Sequence, residues 1–230
     1  MLNFLNESAY FGLALSLAAY FLGWILQKKT KIDAFNPLLI SMIVVAAFLA
    51  LTGMDIGAYQ RQTSVLSYLL TPATVCLAVP LYKQLGVLKK NAAAVLVSVA
   101  AGAVSAMASV LAVCFAFGAS HEIFATLLPK SVTTAIGMGV AEELGGIADI
   151  TVAVICITGV VGALVAKPLC RLLRVTHPVA VGLAFGVSSH SLGTAKALEI
   201  GEIEGAMSGL ALVITGIFTV ALSPLFAMIL

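Results

Sequence analysis

In "LLPKSVTTAIGMG", residues 127–139, a proline, a lysine and three hydroxyl side chains stand in surroundings that are otherwise apolar. Lys130 supplies a positive charge, and Ser131, Thr133 and Thr134, residue types that open helices, follow Pro129 directly. A helix N-terminus offers unpaired N–H donors and about half a positive charge, so the pattern suits a small anion such as a carboxylate. A second polar stretch, "VSSHSLGTAKALE" at 187–199, sets His190, Ser191 and Thr194 around Gly193, with Glu199 after them. The ordinary pKa of histidine lies close to physiological pH, which makes His190, together with Glu199, the candidate for proton coupling. A third stretch, "LLTPATV" at 69–75, places Pro72 after Thr71.

Each stretch joins a helix-breaking residue to polar side chains, so breaks are expected at Thr71 and Pro72, at Pro129 and at Gly193. In lipid an unpaired backbone group costs several kcal/mol, so an interrupted helix survives only where protein or a water-filled cavity satisfies it. Discontinuous helices of this kind are where transporters build their binding sites. A lysine at membrane depth costs about 2.5–3.5 kcal/mol on insertion scales, which marks Lys130 as part of a site or pathway. The plainer alternatives are a Lys130 that snorkels to the headgroups and a His190 that is a satisfied interior side chain. Glu142, Glu143, Glu202 and Glu204 read as a solvated rim. The glycines at 137, 139, 145, 146, 159, 162 and 193 suit close helix packing.

The elements that must position these residues are membrane helices. The chain is 61% hydrophobic and 10% charged, with a mean hydropathy of +1.14, far from a soluble domain. Apolar runs at 9–26, 37–52, 65–81, 92–118, 150–166, 179–187 and 206–230 approach the length that crosses a core of about 30 Å. The expected fold is all-α: a single polytopic helical bundle over residues 1–230, with seven or eight elements and broken or re-entrant helices. The first run lacks the basic flank of a signal peptide and is read as a retained helix. Three basic groups, Lys28/Lys29/Lys31, Lys83/Lys89/Lys90 and Lys167/Arg171/Arg174, mark cytoplasmic ends. For the third group to face inward, the stretch around Lys130 must begin and end outside, as a folded-back element. Internal echoes pair 36–118 with 177–230 across a link at 119–176, and "LLTPATVCLAVPLYKQLG" with the opening stretch. Counting the opening stretch as a full crossing makes the first pair inverted; the basic-loop argument makes it parallel.

Other chemistries have little support. A net charge of +2 with dispersed basic residues gives no support to nucleic-acid binding. Cys76, Cys114, Cys156 and Cys170 lie in or at the end of apolar runs without CxxC spacing, so neither disulfides nor a zinc site is expected. No phosphate loop, metal-ligand pair or nucleophile elbow is found, and we expect no enzyme, cofactor or metal.

The segments "NPLLIS" at 36–41, "LLTPATVCLAVPLYKQ" at 69–84, "LLPKSVTTAIGMGVAEELGG" at 127–146, "ITGVVGA" at 157–163 and "SHSLGTAKALEIGEIEGAMSGLA" at 189–211 resemble the LrgB/CidB family of bacterial membrane proteins. That family includes the plastidial glycolate/glycerate translocator. Ala135 departs from the pattern, where a proline is expected after the threonine pair. The resemblance implies a bacterial cytoplasmic (inner) membrane location, a small LrgA/CidA-like membrane partner, and transport of two- or three-carbon monocarboxylates such as pyruvate, lactate, glycolate or glycerate. Its other implication is a holin/antiholin-like subunit that regulates murein hydrolase activity and autolysis. The cationic, hydroxyl-rich stretches favour transport, with Lys130, Ser131, Thr133 and Thr134 on the carboxylate and His190, Ser191 and Thr194 completing the cradle. A homo-oligomer in the bilayer is part of this expectation.

Overall fold

The computed structural model describes residues 2–30, 37–76 and 82–229, all helical or in short connections. Lys31, Asn36 and the Pro80-Leu81 of the sequence echo lie outside the described residues, as does the side chain of Thr71. The chain divides into two compact units, Met1–Cys76 and Leu77–Leu230. Among the described residues there are eleven helices, more than the expected seven or eight, because short helices and a folded-back pair replace single crossings.

The first unit holds α1 (Leu2–Glu7), α2 (Phe11–Thr30), α3 (Pro37–Thr52), α4 (Ile56–Gln62) and α5 (Ser64–Cys76). Gln62 is buried and ties three of them together: its amide donates to Leu5 O at 2.7 Å, and its Oε1 accepts from Gly12 N at 2.7 Å. Asp55 caps α4 by accepting from Ala58 N at 2.8 Å. The break expected at Thr71 and Pro72 is absent, since α5 runs through Pro72 to Cys76. A proline removes one N–H and crowds the carbonyl four residues back, which a helix can accommodate by bending.

The second unit holds α6 (Leu85–Phe117), α7 (His121–Leu127), α8 (Thr134–Glu143), α9 (Ala148–Leu172), α10 (Pro178–Ile200) and α11 (Glu202–Ala227). Among the described residues four helices are long and apolar enough to cross a membrane: Phe11–Thr30, Lys89–Phe117, Ala148–Leu172 and Glu202–Ala227. Ile157, Val161, Ile217 and Phe115 on these spans are exposed, whereas Ser189, Thr194, Ser208 and Thr215 are buried. An apolar outside around a partly polar inside is what a lipid solvent selects.

α6 is the wall against which α7, α10 and α11 pack. Its first half, through Val95 and Val99, joins Val179 and Leu183 of α10 and Met207 and Ala211 of α11. Its second half, through Met107, Val110 and Cys114, joins Phe124 of α7, Leu128, and Leu222 and Phe226 of α11.

Candidate functional site

The segment from α7 to α8 is a hairpin. His121 Nε2 lies 3.2 Å from Leu144 O, so the two ends of the segment meet. Thr126 fastens α7 to the start of α9: its Oγ1 accepts from Ile147 N at 2.9 Å, and its carbonyl accepts from Thr151 Oγ1 at 2.9 Å. Gly146 permits this approach, because a Cβ there would stand 2.6 Å from Thr126 N. Helices of seven and ten residues reach about 10 and 15 Å, short of a core of about 30 Å. The stretch therefore folds back on itself and is too short to cross as a single span.

The tip of this first hairpin is Leu128–Thr133, with Pro129 buried in it. Lys130 donates from Nζ to Ser131 Oγ at 3.2 Å and lines a cavity of about 220 Å³ with Ser109, Val110, Val113, Cys114 and Leu127. Thr133 is the N-cap of α8 but makes no side-chain cap, so the first amides of that helix, beginning at Thr134, are left without it. Gly137 abuts the side chain of Ile155 on α9.

α10 reverses at His190, where φ is 42° and ψ is −129°. A Cβ on Gly193 would collide with Phe185 O, eight residues earlier, which is impossible in a continuous helix. Phe185 and Ala197 share a cluster with Ala166 of α9, with Val181 and Ile200 packed against it. Residues 178–189 and 191–200 are thus two antiparallel halves of about 18 and 15 Å. The expected break at Gly193 is displaced to His190. Gly193 is needed for close approach instead, its missing side chain making room for the Phe185 carbonyl.

The second hairpin packs on α9 and α11. His190 Nε2 bonds Ile155 O at 2.9 Å, and a carbonyl only accepts, so the proton of this bond sits on Nε2. Gly159 faces the imidazole, a Cβ there standing 2.6 Å from Nε2, and Gly162 faces Ser189. Thr194 Oγ1 donates to His190 O at 3.1 Å and lies 3.0 Å from Ser208 Oγ on α11. Ser191 is exposed. Glu199 is exposed and accepts from Lys196 Nζ at 2.7 Å. A cavity of about 500 Å³ follows α6 and the first half of α10 from His177 to Ser188, next to the reversal.

The two hairpins start at opposite ends of α9. The first has its base at His121 and Leu144, just before α9, the second follows Leu172, and both reach Ile155: Gly137 in the returning arm of the first touches its side chain, and His190 at the tip of the second bonds its carbonyl. A hairpin followed by a long helix thus occurs twice, at 121–172 and 178–227, in opposite senses. The segment that reads in the sequence as a link holds the first of these.

The structure brings Lys130 to Ser131, Thr133 to the head of α8, and His190 to Thr194. Among the described residues no hydrogen bond joins the Lys130–Thr134 group to the His190–Thr194 group; Ile155 stands between them. Sequence reasoning missed Ser208 and Thr215 on α11, both fully buried. Their spacing of seven, followed by Thr219 and Ser223 at steps of four, puts all four on one helix face and is the signal in the sequence. It also missed Lys196, three residues before Glu199.

No solved structure matches the chain. Residues 16–229 match the LrgB-like family, a span that includes both hairpins and all four long apolar helices apart from the first five residues of α2. The motifs, the helical membrane architecture and this match agree: the chain is a membrane protein that belongs to the LrgB-like family.

Proposed function

We propose that this protein carries small monocarboxylates of the pyruvate, lactate, glycolate or glycerate class across the bacterial inner membrane. What supports this most is the meeting of two short hairpins, from opposite ends of α9, at the single residue Ile155. Interrupted helices at mid-depth let a site be reached from either side by small movements of one hairpin or the other. The first amides of α8 supply donors and a positive end for a carboxylate, and Lys130 adds full positive charge beside the same tip. Ser131, Thr133 and Thr134 line that cradle, with His190, Ser191 and Thr194 as its complement from the second hairpin. His190 and Glu199 are the groups proposed to carry a proton with the substrate, which lowers the cost of moving its charge through low dielectric. A small LrgA/CidA-like protein is the proposed partner, in a homo-oligomeric assembly.

Labelled pyruvate and glycolate uptake into proteoliposomes under an imposed pH gradient tests the proposal, with and without the small partner. Saturable uptake that unlabelled monocarboxylate competes away, and that Lys130→Ala reduces, is the expected result. Nonselective leakage, or no uptake by folded protein in either preparation, defeats it.

A further inference from the structure

We propose that Thr215 is a substrate contact that selects carboxylates bearing an oxygen on C2, that is, 2-hydroxy and 2-oxo acids over their unsubstituted counterparts. This rests on the carboxylate transport proposed above and names a contact within the same site.

Thr215 is 1% exposed, and among the described residues its Oγ1 has no hydrogen-bond partner. Three other buried threonines of this unit behave differently. Thr126 donates to Glu122 O at 2.7 Å and Thr194 to His190 O at 3.1 Å, and Thr151 shares its proton between Ile147 O at 3.1 Å and Thr126 O at 2.9 Å. That bond to the carbonyl four residues back is the ordinary refuge of a helical hydroxyl in apolar surroundings. Thr215 forgoes it, and a buried hydroxyl left alone bears the whole cost of leaving water.

Its position on α11 gives the hydroxyl a use. Ser208, two turns earlier on the same face, meets Thr194 in the returning half of the second hairpin. Gly216, the next residue, packs against the side chain of Ile136 in the first turn of α8, a Cβ there standing 2.8 Å from Ile136 Cδ1. Along α11, Thr215 therefore lies between Ser208, which meets the second hairpin, and Gly216, which meets the first turn of the uncapped α8. A carboxylate held on those amides has its C2 substituent one bond further on, within the span to α11. A hydroxyl donates and accepts, so Thr215 serves a keto oxygen and a hydroxyl alike. An acid with no oxygen on C2 leaves Thr215 unpaired, and a site built around a hydrogen bond discriminates strongly against the analogue that lacks it.

The test compares wild type, Thr215→Val and Thr215→Ser in proteoliposomes, using lactate against propionate and glycolate against acetate. Valine keeps the shape and loses the oxygen; serine keeps the oxygen. The expected result is that Thr215→Val lowers the preference for the C2-oxygenated acid about tenfold or more, through lost uptake of lactate and glycolate, while propionate and acetate uptake is retained. Thr215→Ser restores the preference. In detergent without substrate, Thr215→Val melts at or above the wild-type temperature, which establishes that it folds. An unchanged preference in Thr215→Val overturns the role of Thr215 and leaves the transport proposal standing. A wild-type protein that takes up none of the four acids overturns the transport proposal and this inference with it.

Discussion

His190 Nε2 and the main-chain oxygen of Ile155 are 2.9 Å apart, and that bond fixes the tip of the second hairpin to the middle of the site. His190 makes the bond from a backbone conformation with φ 42° and ψ −129°, which a side chain with a Cβ adopts only under constraint. The opposite wall is cleared for it by Gly159 and Gly162. The reversal is thus held by packing on α9 and not by the local preference of the residue that turns.

Glycine at position 190 relieves the backbone, whereas alanine keeps the strain and loses the same imidazole. His190→Gly is expected to be more stable than His190→Ala by about 1 kcal/mol, read as the difference in melting temperature in detergent. Equal or reversed stabilities would show that residue 190 does not carry the turn.

Gly162 is expected to tolerate no side chain while Ser189 keeps its hydroxyl. Gly162→Ala directs a methyl at Ser189 Oγ and is expected to cost about 1–3 kcal/mol, the range for overpacking. Ser189→Ala in the same chain should recover part of that loss. A double-mutant cycle with no coupling between the two positions would contradict the contact.

The bases of the two hairpins predict the labelling of single cysteines placed in a chain whose Cys76, Cys114, Cys156 and Cys170 have been replaced. Cysteines at Glu122 and Glu143 should react with an impermeant maleimide from one side of the membrane, and cysteines at Thr176 and Glu202 from the other. All four positions are exposed. Reaction of 122 and 143 from opposite sides would make the first hairpin a crossing.

Thr126 joins α7 to α9 through its hydroxyl, which accepts from Ile147 N while donating to Glu122 O. Thr126→Val leaves the Ile147 amide without that acceptor, and a loss of about 1–2 kcal/mol is expected, the range for a helix cap. Thr126→Ser should be close to neutral. Melting curves of the three proteins decide it.

The all-α membrane class is legible in the residues, because runs of apolar side chains have no other stable home and leave their backbone only helical pairing. The tip at Pro129 is legible for a similar reason: proline lacks the N–H that would continue a helix, and the following hydroxyls begin the next one. The break that Pro72 suggests is absent, since one missing N–H leaves the rest of a helix ladder intact. The residues point to Gly193, with the freest backbone, for the second tip, and the turn falls on His190. Local preference disfavours that choice, and only the partners on α9, the Ile155 carbonyl and the space left by Gly159, make it stable. Thr215 is the extreme case. In sequence it is one hydroxyl in an apolar helix, indistinguishable from Thr126 or Thr151, whose oxygens bond their own backbone. Its lack of a partner exists only once α8 and α10 have closed around α11, because whether a buried polar group is satisfied depends on the atoms that folding brings to it and not on the residue itself.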